Sequence, residues 1–524
     1  MSIELSPTTG NEGNPLAPLL NEFETVDLNL VKPEPEALAM APGEFALKNQ
    51  ILPLALDGET LVVAMGSLNA LSAVDDLGIL IGRPVMPVLG DPSLIRERIE
   101  EYFLEKILQG LPSDDGGAAA EIDDSTDLAD LTKMAGETAV IQMVNLIFAQ
   151  AVRDGASDIH IEAYEREVKV RYRIDGMLHE ALRPPKRMHN AIISRLKILG
   201  ELNIAERRLP QDGRIKLTIA GRAIDVRLSI VPSVFGERAV MRLLDKTTAL
   251  LGLEELGMGA DVLVKYRKLI SLPHGIILAT GPTGSGKSTS LYASLQEIYS
   301  PSTNILTIED PVEYQVPGIS QIQVRPNIGL TFAAGLRSFL RQDPDVIMVG
   351  EIRDHETAEI AIHASLTGHL VFSTLHTNDA AGAVTRLLDM GVEPYLVASS
   401  VVGVVAQRLL RRVCPNCSQP DNPPQELLRA IGIKEGEKAN YRRGAGCEKC
   451  QNTGYKGRQG LYELLIVDEE IRRMTVDRKS SNLMRDWAVK NQGMRTLLGD
   501  GRLAVMAGKT TVEEVLRVSQ REDF

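Results

Sequence analysis

Apolar and polar positions recur along the chain with two different periods, which separates strand-like from helix-like segments. ETLVVAMG at 59–66 alternates like a strand, and NALSAVDDLGILIG at 69–82 has helical spacing. Further on, EVKVRYRIDG, GRIKLTIAG and AIDVRLSIV are strand-like with glycine turns, and MHNAIISRLKILGEL is an amphipathic helix. These patterns predict a small α/β domain over 35–107 and an α+β domain over 136–250.

A third pattern begins near residue 253, where the apolar run GIILAT leads into a glycine-rich loop and then a helical segment. Strand, loop and helix in this order are the context that a P-loop requires. The glycines let successive backbone N–H groups converge on phosphate oxygens at a helix N-terminus. The predicted nucleotide-binding residues are Gly281, Pro282, Thr283, Gly284, Ser285, Gly286, Lys287, Ser288 and Thr289.

Three residues of this loop have predicted roles in the chemistry. Lys287 would neutralise the β- and γ-phosphates of ATP, and Ser288 would place its hydroxyl on Mg²⁺. Thr289 would contact the α-phosphate. A glycine-rich turn without a ligand is the alternative, and the full motif with its flanking strand and helix disfavours it.

Acidic residues follow two later apolar strands. DVIMVGEIRD ends in Glu351, which we predict to be the general base that activates water beside the γ-phosphate. Gly350 stands where an acid is usual, so the carboxylate that supports the metal must come from elsewhere. Glu309, Asp310 and Glu313 in TIEDPVEY can supply it, although the same cluster could be a solvated loop.

Two histidines, His369 and His376, stand at the two ends of a strand-like run in TGHLVFSTLHTND. Seven residues of extended chain place them too far apart to share a metal. A phosphate sensor or coupling residue is the functional prediction for them, and a packing role is the alternative.

All four cysteines occur in two pairs, CPNC and CEKC, about thirty residues apart. Cys414, Cys417, Cys447 and Cys450 therefore predict a closed tetrahedral zinc site that holds a small subdomain over 412–460. Disulfides are the alternative, which a cytoplasmic setting disfavours. A helical region is predicted for the remaining 461–524.

Composition limits the possible functions. The 524 residues exceed one core, and the net charge of −13 disfavours broad nucleic-acid binding. Residues 1–34 are predicted to be a flexible leader and the acidic segment 108–135 a flexible linker. Without an apolar run long enough for a membrane span and without a signal-peptide pattern, the chain is expected in the cytoplasm.

Five segments that follow one another along the chain carry a family resemblance: GPTGSGKSTSLYASL, ILTIEDPVEYQVPGISQIQV, FAAGLRSFLRQDPDVIMVGEIRD, TGHLVFSTLHTNDAAGAVTRLLDMGVEPY and AQRLLRRVCPNC. They resemble the Walker A, aspartate-box, Walker B, histidine-box and zinc-entry segments of the bacterial secretion ATPases, from about residue 134 onward. FGERAVMRLLDK, FAAGLR and HTNDAAGAVTRLLDMGVEPYLVASS look most like the type II secretion system ATPases, general secretion pathway protein E, and LVVAMGSLNALSAVDDL agrees with that choice.

The resemblance implies a multidomain α/β P-loop NTPase with a RecA-like ATPase domain, over 253–411, behind the α+β domain. It also implies a hexameric ring that powers pseudopilus assembly and the export of folded proteins. The expected partners are the cytoplasmic domain of an inner-membrane assembly protein, which residues 35–107 would bind, and an inner-membrane platform protein. Location at the cytoplasmic face of the inner membrane would follow from these partners.

Four arginines match arginines of the family's motifs: Arg227, Arg242, Arg337 and Arg341. Arginine commonly stabilises the charge that develops on the equatorial oxygens in phosphoryl transfer. We expect Arg227 and Arg242 to swing onto the phosphates as two domains close, and Arg337 and Arg341 to complete the pocket. A solvated or salt-bridged arginine is the alternative at each position.

Three other functions remain open at this point. A type IV pilus assembly ATPase would share the P-loop and the cysteine pairs. A nucleic-acid motor is disfavoured by the acidic charge and by the lack of basic strands interleaved with aromatic residues. A scaffold that binds ATP without hydrolysing it is disfavoured by Glu351.

Overall fold

The computed structural model describes most of the chain from Thr25 onward. The described residues are 25–28, 30–31, 33–41, 45–46, 49–67, 70–92, 94–95, 98–99, 138–219, 221–245, 251–437 and 439–519. Most of the predicted leader, 1–34, and the whole of the predicted linker, 108–135, lie outside these residues.

The first domain contains a three-stranded sheet in the order β1-β2-β3. Its elements are α1 (Pro35–Met40), β1 (Ile51–Asp57), β2 (Thr60–Met65), α2 (Leu71–Ile81) and β3 (Val85–Leu89). The strand β2 pairs antiparallel with β1 and parallel with β3. Alternate residues of β2 face two apolar clusters on the two sides of the sheet, Val62 and Ala64 on one and Leu61 and Val63 on the other.

The second domain is a six-stranded antiparallel sheet in the order β6-β5-β4-β9-β8-β7, with two helices on one face. Its elements are α3 (Thr138–Arg153), β4 (Asp158–Ala163), β5 (Val168–Ile174), β6 (Met177–Leu182), α4 (His189–Leu199), β7 (Gln211–Ile219), β8 (Arg222–Val231) and β9 (Arg238–Asp245). Ile147 of α3 and Ile192 of α4 pack on Ile159 and Ile161 of β4. The opposite face carries polar side chains.

The ATPase domain is built on a seven-stranded sheet in the order β12-β11-β13-β14-β10-β15-β18. Its strands and helices up to the cysteines are α5 (Ala260–Ile270), β10 (Gly275–Thr280), α6 (Lys287–Ile298), β11 (Ile305–Glu309), β12 (Ser320–Gln323), α7 (Phe332–Phe339), β13 (Val346–Val349), α8 (His355–Leu366), β14 (Leu370–Leu375), α9 (Ala380–Asp389), α10 (Pro394–Ser400) and β15 (Val401–Val413). Every residue of β10, β11, β13 and β14 is buried, as expected for parallel strands with helices on both faces.

The last part of the chain combines a small sheet with helices. Its elements are β16 (Ser418–Pro420), α11 (Gln425–Ala430), β17 (Arg442–Gly444), β18 (Tyr455–Ile466), α12 (Glu469–Val476), α13 (Ser481–Trp487), α14 (Leu497–Met506) and α15 (Val512–Ser519). The strand β18 crosses the predicted boundary at 460/461 and pairs antiparallel with β15. The predicted helical region over 461–524 is therefore corrected at its start, because the apolar run GLYELLIV completes the ATPase sheet.

The predicted fold class, a multidomain α/β P-loop protein, is confirmed by this arrangement. The carboxyl ends of β10, β11, β13 and β14 lie along one edge of the ATPase sheet, where parallel sheets carry their ligand sites. Among the described helices, none has both the length and the apolarity that crossing a bilayer needs.

Candidate functional site

The P-loop joins β10 to the N-terminus of α6, and its backbone requires glycine at two positions. Gly281 has φ 147°, and a Cβ added there would lie 2.5 Å from the carbonyl oxygen of Gln407. Gly286, the residue that precedes α6, has φ 91°, and its Cβ would lie 2.7 Å from Nε2 of Gln407. The loop therefore packs closely on β15 while its backbone turns toward the helix N-terminus.

Lys287 and Ser285 have polar groups available to a ligand at this loop. Lys287 Nζ donates to the carbonyl oxygens of Gly281 at 2.7 Å and Pro282 at 3.1 Å. Burial lowers the pKa of Lys287 to about 8. The Ser285 hydroxyl is buried and has no hydrogen-bond partner among the described residues. Phosphate oxygens would satisfy both groups, so the loop fits a nucleotide.

Glu351 lies two residues beyond β13 and has two basic partners. Arg353 Nη2 donates to Glu351 Oε1 at 2.6 Å, and His376 Nε2 lies 3.3 Å from Glu351 Oε2. Burial by itself would raise the pKa of Glu351, but the hydrogen bonds and charges of Arg353 and His376 hold it below its usual value. Glu351 is therefore ionised at neutral pH, as a general base must be.

The predicted acidic cluster contains one buried, one exposed and one half-buried residue: Glu309, Asp310 and Glu313 respectively. Glu309 is buried and accepts hydrogen bonds from Tyr292 and from Thr307 Oγ1, the latter at 2.6 Å. Asp310 lines the same cleft as Glu309. Glu313 forms an ion pair of 2.9 Å with Arg227. The solvated-loop alternative does not describe this arrangement, because all three carboxylates line the cleft.

The cleft itself lies between the ATPase domain and the second domain and encloses about 560 Å³. The P-loop, Glu351 and His376 form one wall. Arg227 of β8 and Arg242 of β9 belong to the other wall, together with Ser157. Residues that are more than a hundred positions apart in sequence thus meet around one space of the size that small-molecule sites have.

Three predicted site residues lie elsewhere. Arg337 of α7 pairs with Glu356 of α8, and Arg341 donates to the carbonyl oxygen of Arg337 at 3.1 Å. Neither arginine lines the cleft, so the expectation that they complete the pocket is corrected for the single chain.

His369 also lies away from the cleft. It precedes β14, whereas His376 follows this strand, so the two rings are at opposite edges of the ATPase sheet. His369 Nδ1 lies 2.7 Å from the carbonyl oxygen of Ala364 at the end of α8. Only His376 of the pair is near the phosphate-binding loop.

Sequence reasoning missed several residues of the site. Arg353, which holds Glu351, stands two positions after it in GEIRD and could have been found from that spacing. Tyr292 and Gln321, which contact Glu309, come from different elements, and no local sequence pattern predicts these contacts. Asp158, which holds Arg242, lies on a strand in which alternate polar residues are the visible signal.

The four cysteines form a second cluster, remote from the cleft in sequence. The Sγ atoms all lie within 4.8 Å of one another, and the closest pairs are 3.6 to 3.9 Å apart. Four thiolates at about 2.3 Å from one ion are separated by about 3.8 Å, whereas a disulfide requires about 2.05 Å. The donor set and its spacing therefore fit a tetrahedral metal better than two disulfides.

Comparison with known proteins identifies the family to which the chain belongs. The family model described as type II/IV secretion system protein matches residues 133–517, and the MshEN domain model matches residues 21–107. The type II secretion system protein HxcR of Pseudomonas aeruginosa is 50% identical over 437 residues, which are 81% of this chain and 89% of that protein. The type IV pilus assembly ATPase PilB of Myxococcus xanthus is 45% identical over 491 residues, 92% of this chain and 86% of that protein.

Among solved structures, the ATPase DotB of Legionella pneumophila matches with a TM-score of 0.54 and 21% identity, over 72% of this chain and 96% of that chain. This match supports the fold alone. The family resemblance inferred from the motif segments is confirmed by the family match, and a P-loop, an ionised acid and facing arginines are the parts of an ATP-hydrolysing site. The chain belongs to the type II/IV secretion system protein family and is an ATPase of that family.

Proposed function

We propose that the chain is the hexameric ATPase motor of a type II secretion system, which drives pseudopilus assembly and the export of folded proteins. The observation that carries this proposal is the cleft in which Lys287 and Glu351 face Arg227 and Arg242 of the preceding domain. The name of the Pseudomonas aeruginosa relative supports the pathway. ATP hydrolysis would be coupled to closure of this cleft.

In the proposed reaction, water attacks the γ-phosphorus of ATP, the bond to the β,γ-bridging oxygen breaks, and ADP and phosphate leave. Glu351 accepts a proton from the attacking water, and Arg353 and His376 keep its carboxylate ionised and oriented. Lys287 leaves the carbonyl groups of its own loop and binds the β- and γ-phosphates. His376 bridges the base to the end of β14, which suits a phosphate sensor.

Mg²⁺ would lower the charge on the β- and γ-phosphate oxygens when bound. The Ser288 hydroxyl and the carboxylates of Glu309 and Asp310 line the cleft and are the oxygen donors that this ion prefers. Arg227 and Arg242 would stabilise the negative charge that develops on the transferred group. Glu313, the third acid expected to support the metal, forms an ion pair with Arg227.

The zinc assignment is part of the same proposal. Thiolates at tetrahedral spacing support a structural Zn²⁺ that holds the ends of β15 and β18 to the small β16-β17 sheet. The site has four protein ligands and no open position, so a catalytic role is not proposed.

Partners and location extend the proposal beyond one chain. Residues 35–107 would bind the cytoplasmic domain of an inner-membrane assembly protein, and the ring would act on an inner-membrane platform protein without nucleic acid. The protein would then act in the cytoplasm at the inner membrane. The type IV pilus assembly ATPase remains the second candidate, because the Myxococcus xanthus relative carries that name.

The test compares the wild type with Glu351→Gln in a strain that lacks the gene. The variant should bind ATP, hydrolyse it about 10²–10⁴-fold more slowly, and fail to restore exoprotein secretion. Glu359→Gln on the exposed face of α8 is the matched control and should behave as the wild type. Lost nucleotide binding would make Glu351 structural, and lost pili with intact secretion would favour the pilus assembly function.

A further inference from the structure

Three polar side chains, Asp158, His160 and Glu162, alternate along β4 with the apolar residues of the second domain's core. All three are buried, although the two described helices of this domain pack on the opposite, apolar face of the sheet. Arginines from β5 and β9 lie over them and neutralise the two carboxylates. Burial of a carboxylate is costly without such partners, so the arrangement on β4 is a built network.

Within this network, Asp158 contacts Arg242, and Arg242 lines the ATPase cleft. It lies directly opposite Arg242 in the antiparallel pairing of β4 with β9. Arg242 Nε donates to Asp158 Oδ1 at 3.1 Å. No described residue accepts a hydrogen bond from the two terminal nitrogens of Arg242, whose side chain is half-exposed and lines the cleft.

A bidentate pair between a guanidinium and a carboxylate uses two N–H groups, whereas the contact between Arg242 and Asp158 uses Nε. Contact through Nε fixes the base of the guanidinium and leaves its outer edge without an acceptor among the described residues. A phosphoryl group in the cleft needs that outer edge, because its equatorial oxygens match two adjacent N–H groups.

Asp158 is itself held in place by its neighbours. Ser157 Oγ donates to Asp158 Oδ2 at 2.8 Å, and Arg173 Nε of β5 lies 3.6 Å from the same oxygen. One carboxylate oxygen is therefore anchored by its own strand region and β5, while the other contacts Arg242. The carboxylate does not line the cleft and does not touch the space where ATP would bind.

Glu162 offers an internal comparison four residues further along β4. It is equally buried, and Nη2 of both Arg171 and Arg238 lies 2.6 Å from its oxygens. These arginines are bound through terminal nitrogens, and neither lines the cleft. Glu162 therefore binds the terminal nitrogens of its arginines, whereas Asp158 contacts Arg242 through Nε.

We propose that Asp158 is a positioning residue for ATP hydrolysis, which holds Arg242 by Nε so that its terminal nitrogens face the transferred phosphoryl group. The inference rests on the proposed role of Arg242 and adds the residue through which that role is prepared. Misplacement of a catalytic group by about 1 Å can cost about 10²-fold in rate, so the loss of this contact should lower turnover rather than nucleotide binding.

The test measures kcat and KM for ATP with the full chain in its assembled state. Asp158→Asn, which keeps the shape and removes the charge, should lower kcat about tenfold or more and leave KM within about twofold. Glu162→Gln is the matched control, because it removes the charge of an equally buried acid on the same face. Both variants should lower the thermal unfolding midpoint, and only Asp158→Asn should lower kcat.

A double-mutant cycle separates positioning from a general structural effect. In the Arg242→Ala background, Asp158→Asn should cause no further loss of kcat beyond about twofold. An equal loss of kcat in Asp158→Asn and Glu162→Gln, or a full additional loss in the Arg242→Ala background, would overturn the proposal. Wild-type turnover of Arg242→Ala would instead remove Arg242 from the proposed mechanism, and the role of Asp158 with it.

Discussion

At the scale of single residues, Lys287 forms hydrogen bonds within its own loop. Its ammonium group donates to the carbonyl oxygens of Gly281 and Pro282, at 2.7 and 3.1 Å. These contacts replace only part of the hydration that burial removes, so the pKa falls to about 8. The charge that the β- and γ-phosphates need is therefore present at neutral pH and is lost within the mildly alkaline range.

This pKa predicts how nucleotide affinity depends on pH. Below about pH 8 Lys287 is charged and affinity should be constant, whereas above it each bound nucleotide requires uptake of a proton. The affinity for a non-hydrolysable ATP analogue at fixed free Mg²⁺ should then fall by about tenfold per pH unit. Equilibrium titrations from pH 7 to 9.5 measure this slope.

The matched variant is Lys287→Arg, whose guanidinium keeps its charge throughout this range. Whatever its absolute affinity, it should lack the slope. An affinity of the wild type that stays constant up to pH 9.5, or the same slope in the variant, would show that another group titrates.

The sequence predicts these residues only where a motif is local. Nine consecutive positions define the P-loop, and its glycines reveal the backbone conformation, so Lys287 could be assigned before the fold was known. His369 and His376 have equally good local patterns, but strand direction alone decides that only His376 reaches the cleft. The same holds for Arg337, because its ion pair with Glu356 on the next helix could not be foreseen from the local pattern.

At the scale of elements, the cysteine cluster lies beside the short two-stranded sheet of β16 and β17. Cys414 follows β15 directly, and Cys447 and Cys450 lie between β17 and β18. The sheet of β16 and β17 has three residues in each strand. Such short strands are marginal in water without an additional constraint, which a metal bound by all four thiolates would supply.

We predict that Cys447→Ser releases zinc and loosens residues 412–460 while the P-loop keeps its affinity for nucleotide. Three remaining thiolates cannot close the tetrahedral site. Metal analysis of the purified chain and limited proteolysis of the 412–460 region measure the two effects. Wild-type protein treated with a chelator is the control and should show the same proteolytic pattern.

A wild-type protein that is purified without zinc and has four titratable thiols would contradict the assignment, because bound thiolates do not react freely. Loss of nucleotide affinity in Cys447→Ser would show instead that the cluster supports the ATPase cleft.

Elements were predictable from the sequence where their periodicity was clean. The segments β2, β5, β7, β8 and α4 were all indicated by their hydrophobic patterns. The strand β18 was not, because an apolar run such as GLYELLIV has the same appearance in a buried strand and in a helix. Its pairing with β15, about fifty residues earlier, decides the structure, and that pairing is a tertiary effect.

At the scale of the whole molecule, hydrogen bonds and ion pairs tie the second domain to later parts of the chain. Arg227 of β8 pairs with Glu313 at 2.9 Å and donates to the carbonyl oxygen of Val312 at 3.1 Å. The backbone N–H of Gly457 also donates to Asp175 Oδ2 at 2.8 Å. Sequence motifs could suggest an arginine that acts on the phosphates, but not these partners, which depend on how two separately folded domains meet.

The Arg227 contact also predicts which subunit supplies the arginine in an assembled ring. Because it closes within one chain, each cleft should use the Arg227 and the Lys287 of the same subunit. Co-expressed mixtures of Arg227→Ala and Lys287→Ala chains should therefore hydrolyse ATP at the average of the two inactive variants, since no cleft in the mixture is complete. Turnover of mixed rings, with wild type mixed with Lys287→Ala as the control for mixed assembly, measures this.

If a neighbouring subunit supplied the arginine instead, a random one-to-one ring would restore about one quarter of the clefts, because half of the subunits keep Lys287 and half of their neighbours keep Arg227. Recovery to that level would move Arg227 across the subunit interface and make its pairing with Glu313 a resting contact. If the mixed rings do not recover turnover, hydrolysis is linked to closure within each subunit. The bound nucleotide then sets the angle between the two domains of one chain, and the ring converts changes of that angle into mechanical force.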